Sequence, residues 1–276
     1  MDKIVVNSPA KINLGLNLVG KRNDGFHNLE TIFYPLKLAD KINISKSDCF
    51  IFTTNNLLLS SEKSNLVIKA KDLLKDFTKE KLNCNIYLEK NIPIGAGLGG
   101  GSSNAAVTLM ALNKLFNLNL SNKTLYKLAL TLGSDVPFFL NPIPSFATSR
   151  GEILNEISLK LKGYLLLVYP GIHISTKWAF ENCTPRNNKI NFEKIIKKMS
   201  LCNDLSDLLT NDFEEIVFSE YPHIKEIKEK LIEMGAYFTL MTGTGSSVYG
   251  IFHNKDNAEI AKEKFTKDFF TYIEKL

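Results

Sequence analysis

The chain has 276 residues, 44% of them hydrophobic and 23% charged, with a net charge of +5. That length fits one large or two small domains able to bury a core, and the apolar content excludes a disordered chain. The basic excess is almost all lysine spread along the chain, with only Arg22, Arg150 and Arg186, which argues against a nucleic-acid reader. Cys49, Cys84, Cys183 and Cys202 form no Cys-x-x-Cys pair and suit reduced thiols in the cytoplasm. The N-terminal residues lack a signal-peptide core, and the longest apolar run, near 164–172, is too short to span a bilayer.

In chain order, strands are expected at 3–7, 11–19, 27–36 and 41–45. In SPAKINLGL, Ile12, Leu14 and Leu16 alternate, so Lys11, Asn13 and Gly15 share the opposite face. That face is either solvated or turned to a ligand. Asn23-Asp24-Gly25 marks a turn, followed by Phe26 and His27. The amphipathic stretch 66–77 predicts a helix, and the alternation at 84–90 predicts a strand.

Next comes NIPIGAGLGGGSSNAA (91–106), where five of the chain's sixteen glycines fall within 95–101. Glycine costs conformational entropy, so such a cluster needs a reason. Ser102, Ser103 and Asn104 are good N-cap types ahead of a helical pattern running to Phe116. Bare backbone N–H groups beside a helix N-terminus make an anion site. No lysine lies between Lys90 and Lys114, so the loop is not a Walker A motif. Gly95, Gly97 and Gly100 match a dinucleotide fingerprint, but no Asp or Glu occurs from Lys90 through Ser134 to hold a ribose. A phosphate cradle for a polyanion is the reading left.

A helix capped by Ser121 is expected next, then a break at LGSDVPFF (132–139), where Asp135 is the first acid after the loop. Beyond a soft boundary near 150–160, strands are expected at 164–170, 237–241 and 247–252, with a short one ending the chain. Helices are expected near 175–182, 192–199, 204–219, 224–235 and 256–267. Helices and strands mix without clean alternation, so the class is α+β. A phosphate cradle, an acid to receive a hydroxyl proton and a nearby cation are what a small-alcohol kinase needs. The glycine loop, Asp135 and Lys11 have the types for those roles.

PIGAGLGGGSS resembles the second motif of the GHMP kinases, PAKINLGL their first, and MTGTGSSVYGIF (241–252) their third. The resemblance spans nearly the whole chain. It implies an N-terminal ribosomal-protein-S5-like domain (1–155) and a C-terminal ferredoxin-like domain (156–276), with the site in the cleft between. PAKINLGLNLVGKRNDGFHNLETIF and LGSDVPFF resemble the branch of that superfamily acting on 4-diphosphocytidyl-2-C-methyl-D-erythritol, in non-mevalonate isoprenoid synthesis.

The resemblance implies Asp135 as acid/base and Lys11 as its charged partner. ATP would be held by Pro93, Gly95, Ala96, Gly97, Leu98, Gly99, Gly100, Gly101, Ser102, Ser103 and Asn65. Substrate would be held by Asn13, Phe26, His27, Thr176 and Phe180. Mg²⁺ is expected with ATP, its ligands unassigned. Expected partners are small molecules, with no nucleic acid or membrane, and the expected state is a monomer or weak homodimer. The family's Gly-Val-Gly-Glu-like turn is replaced here by Ser149 and Arg150 before Gly151-Glu152, so that turn is given no catalytic role. The alternatives are another GHMP specificity, of homoserine or mevalonate type, and a non-catalytic nucleotide-binding module.

Overall fold

The computed structural model describes residues 2–60, 65–185 and 209–276. The helix expected near 192–199, the start of that expected at 204–219, Arg186 and Cys202 lie outside the described residues. The chain divides into two compact units interleaved in sequence, where one boundary near 150–160 was expected. Unit 1 comprises 1–11, 35–92 and 99–142, and unit 2 comprises 12–34, 93–98 and 143–276.

Four expected strands merge into two long ones, β1 (Lys3–Lys21) and β2 (His27–Lys46). Pro9 does not break β1, which pairs with β2 in the six-stranded sheet; proline is tolerated where a strand lacks a ladder partner on one side at that residue. Nor does Asp40 interrupt β2, because its side chain is fully buried rather than solvated.

In unit 1, the second half of β2 pairs antiparallel with β4 (Cys84–Glu89), from Lys41↔Glu89 to Lys46↔Cys84. The short β3 (Ile51–Thr54) runs parallel to β4 and was not anticipated, four residues being too few to show a period. After one helical turn, α1 (Leu57–Ser60), come α2 (Leu66–Thr78), α3 (Gly100–Leu115) and α4 (Asn122–Leu132), which pack on one another. Ile42, Ile44, Ile86 and Leu88 of the strands and Val67, Leu74, Leu109 and Leu112 of the helices are buried. Burying each such side chain contributes about 1.5–3 kcal/mol. Ser121 caps α4 as its residue type predicts, its Oγ accepting from the Thr124 N–H at 3.2 Å. A 3₁₀ turn, Pro137–Leu140, follows.

In unit 2, the first half of β2 pairs with β5 (Ser145–Thr148), which forms a hairpin with β6 (Ile153–Glu156). A separate antiparallel sheet has the order β10-β7-β9-β8, from β7 (Tyr164–Tyr169), β8 (Phe238–Met241), β9 (Val248–Phe252) and β10 (Phe270–Lys275). Leu165, Leu166, Leu167 and Val168 are all fully buried. Helices α5 (Thr176–Asn182), α6 (Phe213–Glu220), α7 (Pro222–Glu233) and α8 (Lys255–Phe265) complete the unit. The core includes Leu166, Phe213, Ile227, Leu231, Phe252 and Phe265.

Candidate functional site

The Gly-rich loop passes from one unit to the other between Leu98 and Gly99. Its exit lies in unit 1. There α3 starts earlier than its cap-type residues predicted. Gly99, left-handed at φ 69°, stands at the N-cap and offers no side-chain cap bond. Ser103 and Asn104, expected as caps, turn inward: Asn104 Nδ2 donates to Ser8 Oγ at 2.9 Å, and Ser8 Oγ donates to Ser103 Oγ at 2.8 Å. The first N–H groups of a helix have no partner within it, and Gly99 supplies no side chain to cap them.

A side chain at Gly99 would meet Phe139 Cζ at 2.8 Å and Lys11 Cε at 3.2 Å. Lys11 therefore runs directly beside the start of α3. Its ammonium lies 3.6 Å from Asp135 Oδ2, in the turn after α4; Lys11 is 4% exposed and Asp135 35%. Burial pulls the Lys11 pKa down, and the Asp135 carboxylate opposes that shift. Asn65 caps α2, its Oδ1 accepting from the Val67 N–H at 2.9 Å. Its buried Nδ2 has no hydrogen-bond partner among the described residues. The next residue, Leu66, puts Cδ1 3.4 Å from where a side chain at Gly101 would begin. Unit 1 thus brings together Lys11, Asp135, Asn65 and Gly99 to Ser103.

Unit 2 holds Pro93, Gly95, Ala96, Gly97 and Leu98. Tyr169 Oη donates to the Ile94 carbonyl at 3.0 Å, and the Ser247 N–H donates to that of Ala96 at 3.4 Å. A side chain at Gly97 would meet the Thr242 carbonyl oxygen at 2.2 Å, and one at Gly95 the His173 ring at 1.9 Å. These two glycines, both at positive φ, are bare because neighbouring groups occupy the space. Asn13 is 1% exposed: its Nδ2 donates to Thr31 Oγ1 at 2.8 Å, and Thr242 Oγ1 lies 3.3 Å from its Oδ1. Its open-face reading gives way to a buried one, in which Asn13 holds the 242–247 turn.

An aromatic platform lies in the same unit. His27 stacks on Phe180 with ring centroids 5.4 Å apart, and Phe180 meets Phe213 edge-on at 4.9 Å. Thr176 precedes Phe180 by four residues on α5, on the same face of the helix. Burial, with Lys21 adding to it, lowers the His27 pKa, so its imidazole is neutral at pH 7. Phe26 is 51% exposed, and the Arg150 guanidinium covers its ring at 4.7 Å. Arg22 holds the turn that carries Phe26, donating to Asp24 at 2.8 Å and to Ser149 Oγ at 3.0 Å. Ser149 and Arg150, set aside in the sequence, therefore support this platform. Nothing local revealed it, because their partners, Arg22 and Phe26, lie in the turn between β1 and β2, far away in the chain.

Among the described residues, no group of three or more His, Cys, Asp or Glu side chains could hold a metal ion. Cys49, Cys84 and Cys183 are in no disulfide, and burial pushes the Cys84 thiol up to about 11. No helix among the described residues is long and apolar enough to cross a membrane.

Residues 65–141 match the model of the GHMP kinases N terminal domain, and residues 187–271 that of GHMP kinases C terminal. The chain is 40% identical over 274 residues to a 4-diphosphocytidyl-2-C-methyl-D-erythritol kinase of Chlorobium phaeobacteroides, covering 98% of this chain and 96% of the relative. It is 45% identical over 251 residues to one of Bacteroides thetaiotaomicron, covering 88% and 90%. A crystal structure of 4-(cytidine 5'-diphospho)-2C-methyl-D-erythritol kinase matches with a TM-score of 0.85 at 30% identity, over 98% of each chain. The Methanococcus jannaschii mevalonate kinase shares the fold, with a TM-score of 0.75 at 18% identity over 99% of this chain and 98% of that one. The chain belongs to the GHMP kinases and, within them, to the 4-diphosphocytidyl-2-C-methyl-D-erythritol kinase family.

Proposed function

We propose that the chain transfers a phosphoryl group from ATP to the 2-hydroxyl of 4-diphosphocytidyl-2-C-methyl-D-erythritol, in isoprenoid precursor synthesis. The observation that carries this reading is the Lys11–Asp135 pair at 3.6 Å, with Lys11 Cε alongside the uncapped start of α3. A proton acceptor, a cation and a phosphate-binding helix end are then neighbours within one unit.

A phosphoryl transfer with a loose transition state needs positioning and charge stabilisation more than a strong base. Asp135 orients the accepting hydroxyl and takes its proton late. Lys11, shielded from water, adds positive charge beside the transferred group, where it acts more strongly than in bulk solvent. The first N–H groups of α3 hold the phosphates, and Asn65 offers its unused Nδ2 to the nucleotide. Mg²⁺ would be brought by the phosphates of ATP and would neutralise their charge, a role that needs no dedicated protein cage.

His27, Phe180 and Phe26 form the platform for the cytosine. A neutral imidazole both donates and accepts, which suits the edge of a base. Thr176 extends the substrate segment. Asn13, whose polar atoms face Thr31 and Thr242, acts by holding the third-motif turn. We place the enzyme in the cytoplasm, as a monomer or weak homodimer acting on small molecules. The test is turnover on three acceptors: the cytidylyl substrate, homoserine and mevalonate. ADP formation with the first alone supports the reading; turnover on either of the others moves the chain's specificity elsewhere in the superfamily.

A further inference from the structure

The Gly-rich loop has no acid in its own sequence, yet unit 1 places one beside it. Asp40 of β2 is 0% exposed. Its Oδ1 accepts from the backbone N–H groups of Asn91 at 2.7 Å and Ile92 at 2.8 Å. Oδ2 accepts from Asn104 Nδ2 at 2.8 Å and from the Lys90 ammonium. Asn91 and Ile92 lie just before the glycines at 95–101, and Asn104, the fifth residue of α3, lies just after them. One carboxylate therefore ties the loop's entry to its exit. Ser8 extends the tie by joining Asn104 to Ser103. Gly100 belongs to the same arrangement, since a side chain there would meet Lys90 Nζ at 3.0 Å and Ile92 Cγ2 at 3.1 Å.

Stability alone does not account for this cluster. Replacing a buried ion pair by well-packed apolar residues is often neutral or stabilising. What an apolar pair cannot do is receive four donors from two separate segments. The charges are matched as well. A lone carboxylate near the start of α3 would oppose a polyphosphate, whereas Lys90 cancels it and leaves the helix's positive end for the ligand. Burial lowers the Lys90 pKa, and the Asp40 carboxylate beside it opposes that shift.

We propose that Asp40 is a positioning residue for ATP, setting the span between the two flanks of the loop so that the α3 donors converge on the phosphates. This rests on the reading of the loop as the ATP cradle.

The test is calorimetric titration of ATP into wild type, Asp40→Asn and Asn104→Ala, with the KM of the cytidylyl acceptor measured alongside. Asp40→Asn keeps the size of the side chain but aims an amide at the donors. Losing hydrogen bonds to a charged group predicts an ATP Kd raised about tenfold or more in the folded protein, with acceptor KM unchanged. Asn104→Ala removes one donor and shifts ATP affinity in the same direction by less. Should Asp40→Asn fail to fold, Asn104→Ala decides alone. Variants that melt earlier yet bind ATP as wild type does would reduce Asp40 to a structural residue and overturn the proposal. Wild type that does not bind ATP at all would instead overturn the cradle reading, and this proposal with it.

Discussion

The glycines of the loop are bare for two different reasons, and Gly101 separates them. At Gly95, Gly97 and Gly99, positive φ values of 67°, 76° and 69° and atoms of the protein within 3 Å already forbid a side chain. Gly101 has no positive φ, and a side chain there would meet only Leu66 Cδ1, at an ordinary 3.4 Å. It lies in the first turn of α3 and is exposed. On packing grounds alanine is welcome at 101. Replacing glycine by alanine within a helix gains up to about 1 kcal/mol. For a chain of this size that raises Tm by about 2–4 °C. If the phosphates of ATP sit against this turn, however, the added methyl occupies their place. Losing one charge-assisted contact costs about 1.5–3 kcal/mol, or roughly tenfold or more in Kd. Gly101→Ala is therefore expected to melt higher and bind ATP more weakly, by thermal melts and ATP titration on the same samples. Unchanged ATP affinity in a stabilised variant would refute the placement of phosphate at this turn. A lowered Tm would refute the packing argument.

Other perturbations separate the remaining roles. Asp135→Asn should lower kcat by about 10²–10⁴-fold while ATP titration stays near wild type, the range for losing a general base; near-normal turnover would remove Asp135 from the chemistry. Phe180→Ala removes the ring on which His27 stacks and should raise the KM for the cytidylyl substrate with ATP affinity unaltered; an acceptor KM that does not move would count against the platform. The same platform predicts a pH effect. Because the His27 pKa is lowered from 6.5 by burial, its neutral form prevails at pH 7, and acceptor KM should rise only below pH 6.5. A KM flat down to pH 5 would show that the ring's protonation is irrelevant to binding. Arg150→Val strips the guanidinium from the Phe26 ring and should weaken acceptor binding by a few fold, since cation–π contacts of this kind contribute about 0.5–1 kcal/mol; an unchanged KM would leave Arg150 as surface only.

What the sequence disclosed depended on how local the cause was. The helix over 66–78, the Ser121 cap and the β8–β9 pair around TGTGSS follow from short-range periodicity and capping chemistry. Lys11, Asp135 and the Gly-rich loop were recognisable by residue type and motif. Their approach within unit 1 was not, because it depends on how β1, the turn after α4 and the start of α3 pack. The N-cap of α3 was misplaced because Ser102, Ser103 and Asn104 have the right chemistry for a cap, whereas Gly99 reaches the left-handed conformation that the turn requires. Asp40 escaped notice entirely. In the sequence it takes an inward position in the alternation of Leu36, Leu38, Ile42 and Ile44, and only its four donors explain a carboxylate at a fully buried position. Arg150 was passed over for a similar reason, its aromatic partner Phe26 lying in the turn between β1 and β2, far away in the sequence.

The central claim is that a phosphoryl group moves from ATP to one particular hydroxyl. Phosphorus NMR of the product of wild-type enzyme, ATP, Mg²⁺ and the cytidylyl methylerythritol tests it most directly. The 2-hydroxyl sits on a carbon that bears a methyl group and no hydrogen. The account predicts one new phosphomonoester resonance, equal in amount to the ADP formed and unsplit by proton coupling. A resonance split by neighbouring carbon-bound hydrogens would place the phosphate on another hydroxyl, and no new ester from protein that binds ATP would contradict the assigned reaction.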